Sequence, residues 1–248
     1  MPQVTGGPGT SSPGLFTAKN APLLTLLLNS YGKRPWELIA PDWLSQSRFD
    51  VSAKIPPEAT KAQVNEMLQN LLVERFGLVV HKETRPLASY ELTVGSGGPR
   101  IHSVAVATDA DQFNGAAIPG VRTLPKDAEG LPVLPADAKG IAASESTAGI
   151  RYAFRAQPIS QLVSLAERVL AAPVIDATAL GGRYDFDVTM NIAAERAAAA
   201  EAGVGASARD PALIIVNAVS ALGFKLHPVK APREVIVVDR INRTPTEN

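Results

Sequence analysis

The chain has 248 residues, enough for one large core or two small ones. Its 24 lysines and arginines balance 24 aspartates and glutamates, so no net positive charge invites nucleic acid or an anionic membrane surface. It has no cysteine, which removes disulfides, thiolate metal sites and cysteine nucleophiles together.

Residues 1–14 are rich in Pro, Gly, Ser and Thr and read as a flexible head. Met1–Gly14 has no apolar h-region, so it is neither a signal peptide nor an anchor. No segment reaches the roughly 18 apolar residues that a membrane span needs.

A first α+β unit is expected over 15–94. Leu15–Lys19 reads as a strand, with Asn20 as a cap and Pro22 in the first turn of a helix. That helix carries Leu23, Leu24, Leu26, Leu27, Leu28 and Tyr31 and stops at Gly32. A loop holding Trp36 and Trp43 follows. From Arg48 to Lys54 apolar and polar residues alternate, the period of a half-buried strand. Thr60 caps a helix with Val64, Met67, Leu68, Leu71, Leu72 and Phe76 on one face. Gly77 closes it, Leu78–Thr84 is a strand, Arg85-Pro86-Leu87 is a turn, and Tyr90, Leu92 and Val94 alternate in a last strand.

Residues 95–149 show no sustained period and read as an irregular linker or excursion. Asp109 and Asp111 there invite a calcium loop, but Phe113 stands where a third oxygen ligand is required.

A second α+β unit is expected over 150–241, with 242–248 as a tail. Tyr152–Arg155 is a strand, and Ile159, Leu162, Val163, Ala166, Val169 and Leu170 form a helical stripe. Tyr184, Phe186, Val188 and Met190 alternate with polar residues in the clearest strand of the chain. The alanine-rich Ile192–Ala208 reads as a marginal helix or a mobile loop. A helix from Asp210-Pro211 buries Ile215, Ala218, Val219 and Leu222, Gly223 ends it, and strands follow at Phe224–Pro228 and Val235–Val238.

The two units share phrases in the same order. Gly77 and Gly223 are each followed by His81 and His227 four positions on, and by Pro86 and Pro232 nine positions on. Arg48-Phe49-Asp50-Val51 answers to Arg183-Tyr184-Asp185-Phe186, and Phe16-Thr17-Ala18 to Phe154-Arg155-Ala156. The expected fold class is therefore α+β, as two related β-α-β-α-β-β units with helices on small mixed or antiparallel sheets.

Candidate site residues are few. His81 and His227 occupy equivalent strand positions, read either as a base or ligand pair or as exposed positions that tolerate histidine. Asp185 shares a polar face with Arg183 and Asp187, and this is either paired carboxylates for acid–base work or a solvated face of ion pairs. Trp36 and Trp43 either floor a groove or lid the core. His81 and Glu83 share a face but lack a third converging ligand, so no metal site and no cofactor is expected. No nucleophile elbow, P-loop, HExxH or dinucleotide fingerprint occurs.

Arg48–Lys54, Met67–Phe76, Gly181–Phe186 and the tail Pro245–Asn248 together resemble a soil-associated bacterial family, abundant in acidobacteria and carried as a domain of unknown function. The resemblance runs from about Leu15 to Asn248. It implies an exported protein, periplasmic or secreted, in a family some of whose members are joined to membrane-embedded sensor-peptidase regions. It also implies a further strand ahead of Phe16, whose absence fits a trimmed chain. It supplies no catalytic residue. The expected function is a non-enzymatic extracytoplasmic binding or interaction module for a peptide or cell-envelope protein. The rivals are a hydrolase using His81 or His227 with nearby carboxylates, and a structural or assembly module.

Overall fold

The structure, a computed structural model, describes residues 3–104, 125–128, 130, 131, 133, 140–201 and 211–246. The calcium-loop reading at Asp109 and Asp111 and the end of the alanine-rich stretch lie outside these residues. The fold is α+β, with three sheets and five α-helices among the described residues. Packing gathers the chain into two compact units, Met1–Leu87 with Ala231–Asn248, and Ala88–Lys230.

The first unit begins with β1 (Gln3–Gly6) and β2 (Leu15–Pro22), paired antiparallel from Gln3↔Lys19 to Gly6↔Phe16. The head expected to be flexible thus contributes a strand, because its Val4 and Thr5 find an open neighbour in β2. After α1 (Leu23–Tyr31), β3 (Leu38–Ile39) and β4 (Arg48–Lys54), the sheet order is β1-β2-β4. The helix α2 (Lys61–Phe76) starts on a capping box. Thr60 Oγ1 accepts from the Gln63 amide at 3.3 Å, and Gln63 Oε1 accepts from the Thr60 amide at 2.8 Å. It stops at Gly77, whose φ of 58° is the left-handed value that glycine adopts without a Cβ penalty. Val64, Leu68, Leu72 and Phe76, spaced four apart, bury one stripe of α2 against Leu23, Leu26 and Leu27 of α1 and Phe16 and Ala18 of β2. The ring of Phe76 meets Phe49 edge-on at 4.9 Å.

The second unit contains β6 (His102–Val104), β7 (Ile141–Glu145), β8 (Gly149–Gln157) and β10 (Arg183–Asn191), an antiparallel sheet in the order β6-β10-β8-β7. The stretch read as an irregular excursion therefore supplies both of its edge strands. The helices α3 (Ser160–Leu170) and α5 (Pro211–Ala221) lie in one core with it. Leu162, Leu165 and Ala166 join Ile215, Ala218 and Val219 against Phe154, Phe186, Val188 and Met190. Phe154 and Phe186 are cross-strand partners whose rings stack at 4.6 Å. The alanine-rich stretch forms α4 (Ile192–Glu201), capped where the Ala194 amide donates to Asn191 Oδ1 and tied by Asn217 Nδ2 to Glu195 Oε1.

Two long strands depart from the expected pattern. Leu78–Thr84 and Tyr90–Val94 are one strand, β5 (Val79–Val94), and Phe224–Pro228 and Val235–Val238 are one strand, β11 (Phe224–Arg240). A turn was expected at Pro86 and a break between strands around Pro232, but the fixed φ of proline suits extended backbone, and strands accept it where its missing N–H lies outside the ladder. Each strand is shared between units. Ala88–Val94 of β5 belongs to the second unit and pairs parallel with β9 (Val174–Asp176), as Tyr90↔Val174. Ala231–Arg240 of β11 belongs to the first and pairs parallel with β3, as Ile236↔Leu38. Gly223, at φ 83°, precedes β11, and a Cβ there would lie 2.1 Å from the Gly98 carbonyl oxygen, so only glycine fits.

The repeated Arg-aromatic-Asp phrase has a structural role. In β2 the register breaks between Ala18 and Ala21, and Asn20 takes a φ of 50°. The Asn20 amide donates to Asp50 Oδ1 at 2.7 Å, and Arg48 Nη1 donates to the Asn20 carbonyl at 3.1 Å. In the second unit Ala156 takes a φ of 53°. Its amide donates to Asp185 Oδ1 at 2.7 Å, and Arg183 Nη1 donates to its carbonyl at 2.8 Å. Each arginine–aspartate pair clamps one left-handed residue at the end of a strand, a few residues ahead of a helix. Asp185→Ala should lower stability by about 1.5–3 kcal/mol, the range for a hydrogen bond to a charged group, as read by urea unfolding. Ala156→Asn, which copies the first unit, should raise stability by about 0.5–1 kcal/mol, because asparagine tolerates left-handed backbone better than alanine.

Candidate functional site

The first unit holds an open cleft of about 600 Å³ bounded by the β1 turn, the end of α1 and the start of α2. Its floor is apolar: Phe16, Val64 and Leu68 are all buried. Its rim is basic, with Lys33 and Arg34 following the α1 stop at Gly32 and Lys61 opening α2. Asn29 and Asn65 add neutral amides. No carboxylate or imidazole lines it among the described residues.

The three cations differ in their surroundings. Lys33 Nζ lies 3.3 Å from Glu234 Oε1 and 4.0 Å from Glu37 Oε1. Glu234 also holds Lys82 Nζ at 3.3 Å. The hydrogen bonds from Lys82 and then Lys33 hold the Glu234 carboxyl below the usual glutamate value. Arg34 and Lys61 have no ion-pair partner among the described residues. Lys61 is the first residue of α2, where the helix dipole disfavours a cation. Lys33 and Arg34 follow the C-terminus of α1, where the dipole favours them.

The residues singled out from sequence fall elsewhere. His81 lies on β5, with Nδ1 at 2.9 and 3.0 Å from the two carboxylate oxygens of Asp239 and Nε2 at 3.5 Å from Glu83 Oε2. Glu83 is in turn paired with Arg85. The His81 side chain is 48% exposed, and this cluster does not line the cleft. His227 is exposed on β11 in the other unit. Asp185 is taken up by the Ala156 amide, and its neighbour Asp187 pairs with Arg155 at 2.6 Å. Trp43 packs on the first core and carries the Arg243 guanidinium 5.2 Å over its ring. Trp36 is half-buried in the 3₁₀ turn Pro35–Glu37, and neither tryptophan lines the cleft. No group of three His, Cys, Asp or Glu residues is arranged to hold a metal ion among the described residues.

Sequence reasoning did not single out the basic rim. One signal was present: a lysine directly after the cap Thr60, at the helix end that prefers an anion. The convergence of Lys33, Arg34 and Lys61 from two helix ends had no sequence signature.

Fold and site together define an α+β protein of two compact units with a cation-rimmed, apolar-floored cleft in the first. The chain belongs to the family described as "Protein of unknown function (DUF3738)", whose model matches residues 24–241. No curated protein and no solved structure matches it. No helix among the described residues is long and apolar enough to cross a membrane.

Glu234 supplies a pH test. Its folded pKa is lowered, so its stabilisation is present above the unfolded value, about 4.3, and is lost as pH falls through the lower folded value. Glu234→Gln should flatten the fall in urea midpoint below about pH 5 relative to the parent chain.

Proposed function

We propose that the chain is a non-enzymatic binding module and that its cleft takes a ligand with an anionic head and an apolar body, such as the free carboxylate end of a peptide. The observation that carries this reading is Lys61. Among the described residues it has no ion-pair partner, it stands at a helix start where it opposes the dipole, and it faces a cleft with Arg34 and Lys33 on the rim and buried apolar side chains on the floor. A cation in that place costs local stability and is useful to an anion. The described lining has no acid–base pair and no histidine, which favours holding a ligand over transforming one. The proposed setting, periplasmic or secreted with a cell-envelope protein or peptide as partner, rests on the family resemblance alone. The matching clamps on Asn20 and Ala156 support reading the two units as related copies.

A second reading keeps a hydrolase centred on His81, supported by the 2.9 Å contact with Asp239 that would orient an imidazole base. It predicts ester or peptide turnover abolished by His81→Ala. Turnover that survives both His81→Ala and His227→Ala, or none at all, removes it.

The binding reading is tested with a short leucine-terminated peptide and its C-terminal amide, titrated by calorimetry. The free acid should bind at least tenfold tighter than the amide, and Lys61→Glu should remove that preference. Lys61→Glu should also raise stability to urea by about 0.3–1 kcal/mol, because an anion at the start of α2 suits the dipole. Equal binding of acid and amide would overturn the proposal.

A further inference from the structure

The two clamped strands differ in what lies on their outer edges. On β10, Arg183, Tyr184 and Asp185 lie opposite Val104, Ser103 and His102 of β6. The corresponding Arg48, Phe49 and Asp50 of β4 have no such neighbour, because β4 ends its sheet among the described residues. The Ile55 amide donates to the Gly14 carbonyl at 3.1 Å. Val51 and Ala53, four and two residues back, therefore also turn their backbone groups toward β2, while Ser52 and Lys54 turn theirs outward. Those outward N–H and C=O groups are a pairing template.

Next to this edge is an apolar cavity of about 140 Å³. Ala53 and Lys54 of β4 line it with Ile55 beyond, and Met67, Leu68 and Leu71 of α2 close the other side. Met67 was expected in the buried stripe of α2, yet it is 39% exposed. Its exposure and the cavity belong to the same place, where the layer over β4 is incomplete.

We propose that the β4 edge binds an extended segment of a partner protein, paired antiparallel, with one apolar side chain of about leucine size in this cavity. Backbone pairing supplies affinity and the cavity supplies side-chain preference. The occupant differs from a second copy of this chain on charge grounds. Self-pairing over the full strand would set Arg48 opposite Lys54 at both ends, and like charges directly opposite are destabilising. The second unit shows the proposed geometry within the chain itself, with β6 antiparallel on the clamped strand.

The probe is a fluorescein-labelled seven-residue peptide of alternating threonine and leucine ending in glutamate, with a copy N-methylated at alternate amides. Fluorescence anisotropy should show saturable binding of the first and at least tenfold weaker binding of the second. Ser52→Pro, which removes one outward N–H and leaves the β2 ladder, should weaken binding at least tenfold, as should Met67→Lys at the cavity. Lys61→Glu should leave this binding unchanged, which separates it from the cleft. No binding, or equal binding of the N-methylated peptide, overturns the proposal even if Ser52→Pro fails to fold. A dimer in sedimentation velocity that Ser52→Pro converts to monomer also overturns it, in favour of a second copy.

Discussion

The architecture depends on a carboxylate that satisfies one backbone amide at a left-handed residue. A strand that must give way to a helix within a few residues has to break its ladder, and the break leaves an N–H without a strand partner. In each unit an aspartate one strand away accepts that N–H, and an arginine two residues before the aspartate takes the carbonyl of the same residue. With both polar groups satisfied, the turn is held at low cost, and the helix that follows can pack its apolar face on the sheet. The cores of Leu23, Leu26 and Leu27 in one unit and Leu162 and Leu165 in the other follow from that placement.

Function is sought where the units depart from each other. In the second, β6 covers the edge of β10, and β7 flanks β8. In the first, β4 ends its sheet among the described residues, and a cleft with a basic rim lies between the β1 turn and two helix ends. The electrostatics of that rim are graded. Glu234 and Glu37 neutralise much of Lys33, while Arg34 and Lys61 face the cleft without carboxylate partners among the described residues. A cation that the helix dipole disfavours is a site where local stability and ligand recognition pull in opposite directions.

Much of the local structure was legible. The alternation over Arg48–Lys54 gave the right strand with Phe49, Val51 and Ala53 inward, since a sheet with one covered face enforces period two. Thr60 and Gly77 marked both ends of α2, since capping depends on side chains within a few residues. The prolines misled. Pro86 and Pro232 punctuate a sequence, but only the strand partners decide whether a missing N–H matters, and β5 and β11 run on through them. The lack of a sustained period over residues 95–149 concealed β6 and β7, because edge strands as short as His102–Val104 carry too few residues for a period to show.

The chain by itself determined its helices, its alternating strands, its stops and the recurrence of Arg-aromatic-Asp, because these rest on interactions spanning a few residues or on periodic burial. Tertiary structure alone decided what that phrase is for. Asp50 reaches an amide thirty positions earlier and Asp185 one twenty-nine positions earlier, so neither partner can be read from spacing. It likewise decided that Asp239 would stand beside His81 across 158 positions, and that Lys33, Arg34 and Lys61 would share one cleft. Side chains distant in sequence converge only when the packed layers bring helix ends and strands together. That convergence depends on burial throughout a core rather than on any short run of residues.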